Sequence, residues 1–297
     1  MTVTFKQFLL EGGAATASFE TSRANQQDVK LALQFVEKTI GIPYSTLEQS
    51  LLGSTEHTLK GKRKDSGDVD LAIEDGAYDR DVLVEKMKVA TGVDKPKMTG
   101  GNVFSFPVKT VGEKRVQVDL MFVPSIEWAK FGYHSALDSQ YKGVVRNFLL
   151  VNLMKHIFEQ GKDIAIKDEK TGEELIRVRR GFKMDAGLER LYRVAPMRKD
   201  GKGRLGLKPA TPEQVEAELK KLGIKQAFSK DADPILKPDE AAAFMFGKGV
   251  KAKDLLSAEQ VVSQIMKKPD HAVIFKDAIE DLKKNDLPIP PEIKKFA

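Results

Sequence analysis

The sequence predicts an α+β protein: a small mixed β-sheet with flanking helices, followed by a mostly helical C-terminal region. Three observations carry this. Over the first 125 residues, helix-period and strand-period segments alternate as helix–strand–helix–strand–strand, which builds a small α/β layer. The last two strands are separated only by Val111-Gly112-Glu113, a joint that makes them an antiparallel hairpin. Beyond residue 136, apolar residues recur mainly at helical spacing, between capping residues and prolines.

Each element has a local reason. Phe5, Phe8 and Leu9 share a helical face; Gly12 and Gly13 break it, and Ala14 to Arg23 is a small, polar tether. The apolar part is too short for a secretory signal. Asn25 to Ile40 is an amphipathic helix with Val29, Ala32, Leu33, Val36 and Ile40 on one face, ended by Gly41 and Pro43. Tyr44 to Leu52 leads into Gly53-Ser54, and a polar loop is expected from Thr55 to Gly67. Asp68 to Ile73 alternates charged and apolar residues, as a strand does. Arg80 to Ala90 reads as a helix, and Val103 to Thr110 and Lys114 to Val123 as the two hairpin strands. Leu137 to Gln160 is expected to be a well-buried helix. A turn at Lys167–Gly172 leaves room for a second hairpin from Ile164 to Val178. Gly201–Arg204 is the best linker. Thr211-Pro212, Ser257 with Gln260, and Asp270 then open three helices, the last running to Lys284 before Pro288, Pro290 and Pro291. Gly247-Lys248-Gly249 reads as a helix cap and loop. Trp128, Phe131 and Tyr133 read as packing aromatics, with stacking on a base as the alternative.

Composition narrows the chemistry. The chain has 297 residues, 41% hydrophobic and 31% charged, which excludes a mostly disordered protein. No apolar run is long enough to span a membrane. There is no cysteine, so disulfides, thiolate metal sites and cysteine nucleophiles are excluded. The four histidines, at 57, 134, 156 and 271, do not have zinc-ligand spacing. The net charge of +6 is uneven: residues 141–204 carry 16 basic against 9 acidic side chains. This segment, with Arg177, Arg179, Arg180, Lys183, Arg190 and Arg193, is either a footprint for phosphate or a solvated face.

Three features stand in order along the chain: Gly53-Ser54 after an apolar run, Asp68-Val69-Asp70 before Leu71-Ala72-Ile73, and Asp119 amid Val118, Leu120 and Met121. Residues i and i+2 of a strand share a face, so Asp68 and Asp70 stand side by side and repel. Asp119 is a lone acid in an apolar strand, where unpaired burial is costly. If the strands are neighbours, a divalent cation neutralises all three, and hard oxygen ligands suit Mg²⁺. Gly53-Ser54 offers close backbone approach, a hydroxyl and an amide at what would be a helix N-terminus. Lys60, Lys62, Arg63 and Lys64 follow it and can steer an anion.

This ordered set resembles the signature of the DNA polymerase β-like nucleotidyltransferase superfamily, over roughly residues 26–125. The resemblance implies transfer of a nucleoside monophosphate from a nucleoside triphosphate to a hydroxyl, with release of pyrophosphate. It implies two Mg²⁺ ions, with Mn²⁺ as a substitute. Asp68 and Asp70 would bind both metals. Asp119 would bind the one that activates the acceptor hydroxyl. Gly53 and Ser54, with Lys60, Lys62, Arg63 and Lys64, would hold the triphosphate. The nucleoside pocket would draw on Tyr141, Lys142, Arg146 and Asn147 and on Arg179 or Arg180.

On this reading residues 25–135 form the catalytic domain, 136–200 a helical, basic nucleotide- or acceptor-binding domain, and 201–297 a helical C-terminal domain. Residues 1–24 are an N-terminal helix and tether. Their Leu9-Leu10-Glu11 either ends a helix docked on the body or, by its resemblance to the processing site of tailed-phage internal head proteins, marks a packaging tag; the expected setting is the cytoplasm, that of the host cell if the protein is phage-encoded, with packaging in the virion as the alternative. The expected acceptor is RNA, a tRNA 3′ end among the candidates. A protein or small-molecule hydroxyl, or a catalytically silent nucleic-acid-binding or packaged phage protein, are the alternatives.

Overall fold

The computed structural model describes residues 20–99, 101–141, 143–157, 163–167, 174–184, 187–196, 208–210, 217, 220 and 235–297. The Leu9-Leu10-Glu11 segment, the Gly201–Arg204 linker and the Thr211-Pro212 start of the next expected helix lie outside these residues.

The fold is α+β. Its first half is built on a four-stranded mixed sheet. Two short strands, β1 (Ala24–Asn25) and β2 (Asp65–Ser66), pair antiparallel beside it. Helix α1 (Gln26–Ile40) begins at a capping box: the Asn25 side chain accepts from the Asp28 amide at 3.0 Å, and Asp28 accepts from the Asn25 amide at 2.9 Å. Gly41, at φ 81°, ends it. Then come α2 (Tyr44–Gln49), α3 (Gly53–Leu59), β3 (Val69–Glu74), α4 (Arg80–Thr91), β4 (Lys97–Thr99), β5 (Val103–Lys109) and β6 (Arg115–Val123). The sheet order is β3-β6-β5-β4; β3 and β6 are parallel and the other pairs antiparallel.

Period-2 alternation sorts this sheet into two faces. Val69, Leu71, Ile73, Phe106, Val108, Val116, Val118, Leu120 and Phe122 pack with α1 and with Leu83 and Met87 of α4 in one core. Buried Asp28 sits at the rim of this core, held by Lys114 and by the Thr110 hydroxyl at 2.8 Å. The opposite face carries Ala72, Val103 and Met121, covered by Ala129 of α5 (Ile126–Gly132).

The polar loop expected at Thr55–Gly67 begins later: Thr55–Leu59 belong to α3, and loop runs from Lys60 to Lys64 before β2. Its threonines are not solvated. Thr55 and Thr58 are fully buried, and both hydroxyls bond to backbone carbonyls.

The helix expected at Leu137–Gln160 starts later, as α6 (Gly143–Ile157). The segment 136–200 is therefore not simply helical. It continues into β7 (Asp163–Lys167), β8 (Glu174–Lys183) and β9 (Glu189–Pro196), and β10 (Lys208–Ala210) completes a second, all-antiparallel sheet in the order β10-β9-β8-β7. The β7–β8 hairpin is the one the Ile164–Val178 pattern suggested; β9 carries a weaker alternation, masked by its arginines.

Three C-terminal helices follow: α7 (Pro238–Phe246) with proline in its first turn, α8 (Ala258–Ile265) with the Ser257/Gln260 capping box, and α9 (His271–Lys284). Gly247, at φ 99°, caps α7 as expected. Asp270 precedes α9, but its side chain pairs with His156 of α6 and makes no capping bond. Trp128 and Phe131 of α5, the buried face of α6, and α7, α8 and α9 share one core. A boundary at 200/201 therefore does not follow the packing. Among the described residues, no helix is long and apolar enough to cross a membrane.

Candidate metal centre

The parallel pairing of β3 with β6 sets Asp70 directly beside Asp119. Asp68, two residues before Asp70, shares its face. One carboxylate oxygen from each of Asp68, Asp70 and Asp119 lies within 4.8 Å of the others. Asp68 and Asp119 are each only 8% exposed.

The trio is electrostatically unsettled. Burial raises all three carboxyls above their ordinary range. For Asp119 burial and then the Asp68 charge push the pKa up to about 7, against the pull of Ser105, Gln117 and Lys97. For Asp70 the charges of both other aspartates add to burial. For Asp68 its own backbone and Arg23 act against burial. This is the donor set a hard divalent cation needs: three close oxygen ligands short of positive charge. Asp68, Asp70 and Asp119 fit Mg²⁺ or Mn²⁺ on that ground.

Supporting groups hold the trio in place. Gln117 donates from Nε2 to both Asp119 oxygens, at 2.9 and 3.0 Å. Ser105, opposite Asp119 on β5, also hydrogen-bonds to it. Both supports are about 1% exposed. Sequence reading missed both. Gln117 left one signal, a polar residue two positions before Asp119 in an apolar strand.

The Gly53-Ser54 turn is stitched to the edge of β3. The Leu52 amide donates to the Asp70 carbonyl at 3.1 Å, and the Ala72 amide to the Ser50 carbonyl at 3.0 Å. The Thr55 hydroxyl donates to the Asp68 carbonyl at 3.1 Å and accepts from the Asp70 amide at 3.3 Å. Thr55, also unforeseen, thus ties the turn to both aspartates. Gly53 adopts φ +54°, and a Cβ there would meet the Tyr133 carbonyl oxygen at 3.1 Å. Gly53→Ala is therefore expected to lower stability by about 1–2 kcal/mol and to displace the turn from β3. Thermal melts check this; an unchanged melt would contradict the close approach of Tyr133 to the turn.

The other expected residues are less well gathered. Lys60 is exposed and pairs with Glu56 one turn earlier in α3, so its charge is already engaged. Lys62, Arg63 and Lys64 are exposed in the loop after α3, and the last two act on Asp65, which Arg23 binds at 2.7 Å. Lys142 lies outside the described residues.

Arg146, expected to touch nucleotide, is 1% exposed. It donates from Nε to the Leu255 carbonyl and at 2.9 Å from a terminal nitrogen to the Asn147 side chain, and it lies 4.5 Å from the Phe131 ring centre. It joins α5, α6 and the 252–255 turn instead of facing substrate; burial lowers its pKa to about 9. Asn147 likewise donates to the Gly132 carbonyl at 2.9 Å, and Tyr141 is 8% exposed in the C-terminal core. Arg179 and Arg180 stand on β8 in register with Arg193 and Tyr192.

No protein-family model matches the chain, and no curated protein matches it.

Proposed function

We propose that the protein is a metal-dependent nucleotidyltransferase of the DNA polymerase β-like kind. It would transfer a nucleoside monophosphate from a nucleoside triphosphate to a hydroxyl of RNA and release pyrophosphate. The observation that carries the reading is the convergence of Asp68, Asp70 and Asp119 on one face of a parallel strand pair, beside the Gly53-Ser54 turn.

Bound divalent cations would supply charge neutralisation for the polyphosphate and lower the pKa of the acceptor hydroxyl. Asp68 and Asp70 hold that charge at the centre of the face. Gln117 and Ser105 fix the Asp119 carboxylate, so its approach to the reacting atoms is set before substrate arrives. The Gly53-Ser54 turn positions the triphosphate tail from the β3 edge. In the reaction, the acceptor oxygen bonds to the α-phosphorus while the bond to the bridging oxygen of the β-phosphate breaks. Pyrophosphate leaves with that electron pair, and the hydroxyl proton passes to Asp119 or to solvent. The excess of basic residues in 141–204 favours a polyanionic acceptor.

Incubation of the full chain with each α-labelled nucleoside triphosphate, Mg²⁺ and total RNA tests this. Label in RNA is the expected result. Label in protein moves the acceptor class, and label nowhere overturns the reading.

A further inference from the structure

The strand register draws a line across the catalytic face that the sequence alone does not show. Asp70 on β3 pairs with Asp119 on β6, Asp119 with Ser105 on β5, and Ser105 with Lys97 on β4. The four residues share one face because each is the direct cross-strand partner of the next. Lys97 is partly buried and makes no ion pair among the described residues. Its charge reaches the Asp119 carboxyl. It stands two strand spacings from Asp119, about 10 Å along the sheet.

The Gly53-Ser54 turn lies on the opposite flank. Leu51 bridges to Leu71 at the outer edge of β3, so the order across the face is turn, Asp70, Asp119, Ser105, Lys97. Displacement at phosphorus is in line: the entering oxygen attacks opposite the leaving oxygen. With the polyphosphate held at the turn, the acceptor enters over Ser105 and Lys97.

The geometry points to Lys97 as an acceptor-positioning residue that binds the phosphodiester next to the accepting 3′ hydroxyl of RNA. This inference rests on the transferase reading of the trio. A lysine is a strongly hydrated point charge, suited to a phosphate that need not be gripped bidentately. A protein hydroxyl or a neutral small molecule carries no phosphate at that distance from its reacting oxygen.

The test compares the full-length wild type, Lys97→Met and Lys97→Arg with labelled nucleoside triphosphate, Mg²⁺ and total RNA at varied concentration. Lys97→Met is expected to raise the KM for RNA about five- to tenfold while the KM for nucleotide stays within twofold. Lys97→Arg is expected to restore most of the loss, and all three proteins should melt together. An unchanged KM for RNA in Lys97→Met, or a rise confined to the nucleotide, overturns the inference and leaves the transferase reading standing. Wild-type label in protein does the same. A wild type that labels nothing overturns the transferase reading first, and this inference with it.

Discussion

Asp70→Ala is expected to cut nucleotide transfer by about 10³-fold or more while the protein stays folded. Asp70 is the middle member of the trio: Asp68 shares its strand face, and Asp119 is its direct partner across the parallel pair. Losing it splits one three-oxygen site into two single carboxylates. The local backbone does not depend on the lost side chain, because the Asp70 amide and carbonyl make the bonds to Thr55 and Leu52. Single-turnover transfer assays with circular dichroism melts separate the two effects. A folded Asp70→Ala protein that transfers at the wild-type rate would end the metal-centre assignment.

Asp119→Asn is expected to remove activity and, without divalent cations, to raise stability at neutral pH. The sign follows from the carboxyl's history. In the unfolded chain it ionises at its ordinary value, near 3.8; in the fold, burial and then Asp68 hold it protonated up to about 7. Below about 3.8 both states keep the proton and the site costs nothing. As pH rises from there the unfolded chain ionises first, so stability falls until the folded group also ionises near 7. Asparagine cannot ionise, so the gain should be absent near pH 4 and approach about 4 kcal/mol above pH 7. In a chain of this size that is a rise in melting temperature on the order of 7 °C. Mg²⁺ or Mn²⁺ should stabilise the wild type most at high pH, where the carboxylates are free of protons, and Asp119→Asn little. Melts at pH 5 and pH 7.5, with and without the cation, read this out. A neutral-pH melt of Asp119→Asn below that of the wild type contradicts the account.

The sequence made the acids legible because their cost was legible. A carboxylate pair at i and i+2, and a lone acid inside an apolar strand, both ask for compensation. The helices were readable where caps and apolar faces agreed, as from Asn25 to Ile40 and from Ser257 onward. Polarity misled at Thr55–Leu59, because threonines buried by bonding to backbone carbonyls look the same in sequence as solvated ones. It misled again at Arg146, whose Nε and one terminal nitrogen bond to backbone carbonyls and a side-chain amide while the group lies over an aromatic ring. Ser105 and Lys97 were out of reach for another reason. Their place on the Asp119 face depends on the pairing register of three strands, and single-strand periodicity carries no register across a sheet. The second sheet was half visible, since its first hairpin has β-branched residues on both arms while β9 mixes arginines into its pattern.

Helix α5 has one neighbour on each side. Ala129 covers the apolar end of the face that carries the three aspartates, and the Tyr133 carbonyl just beyond the helix crowds Gly53. Trp128 and Phe131 are embedded in the core shared with α7, α8 and α9, and Trp128 Nε1 donates to the Met184 carbonyl at 2.9 Å. The half that carries the aspartates is thus not a portable unit: shortening the chain ahead of Pro238 would strip the apolar cover from Trp128 and from α6, and loosen the wall against which the Gly53-Ser54 turn is braced.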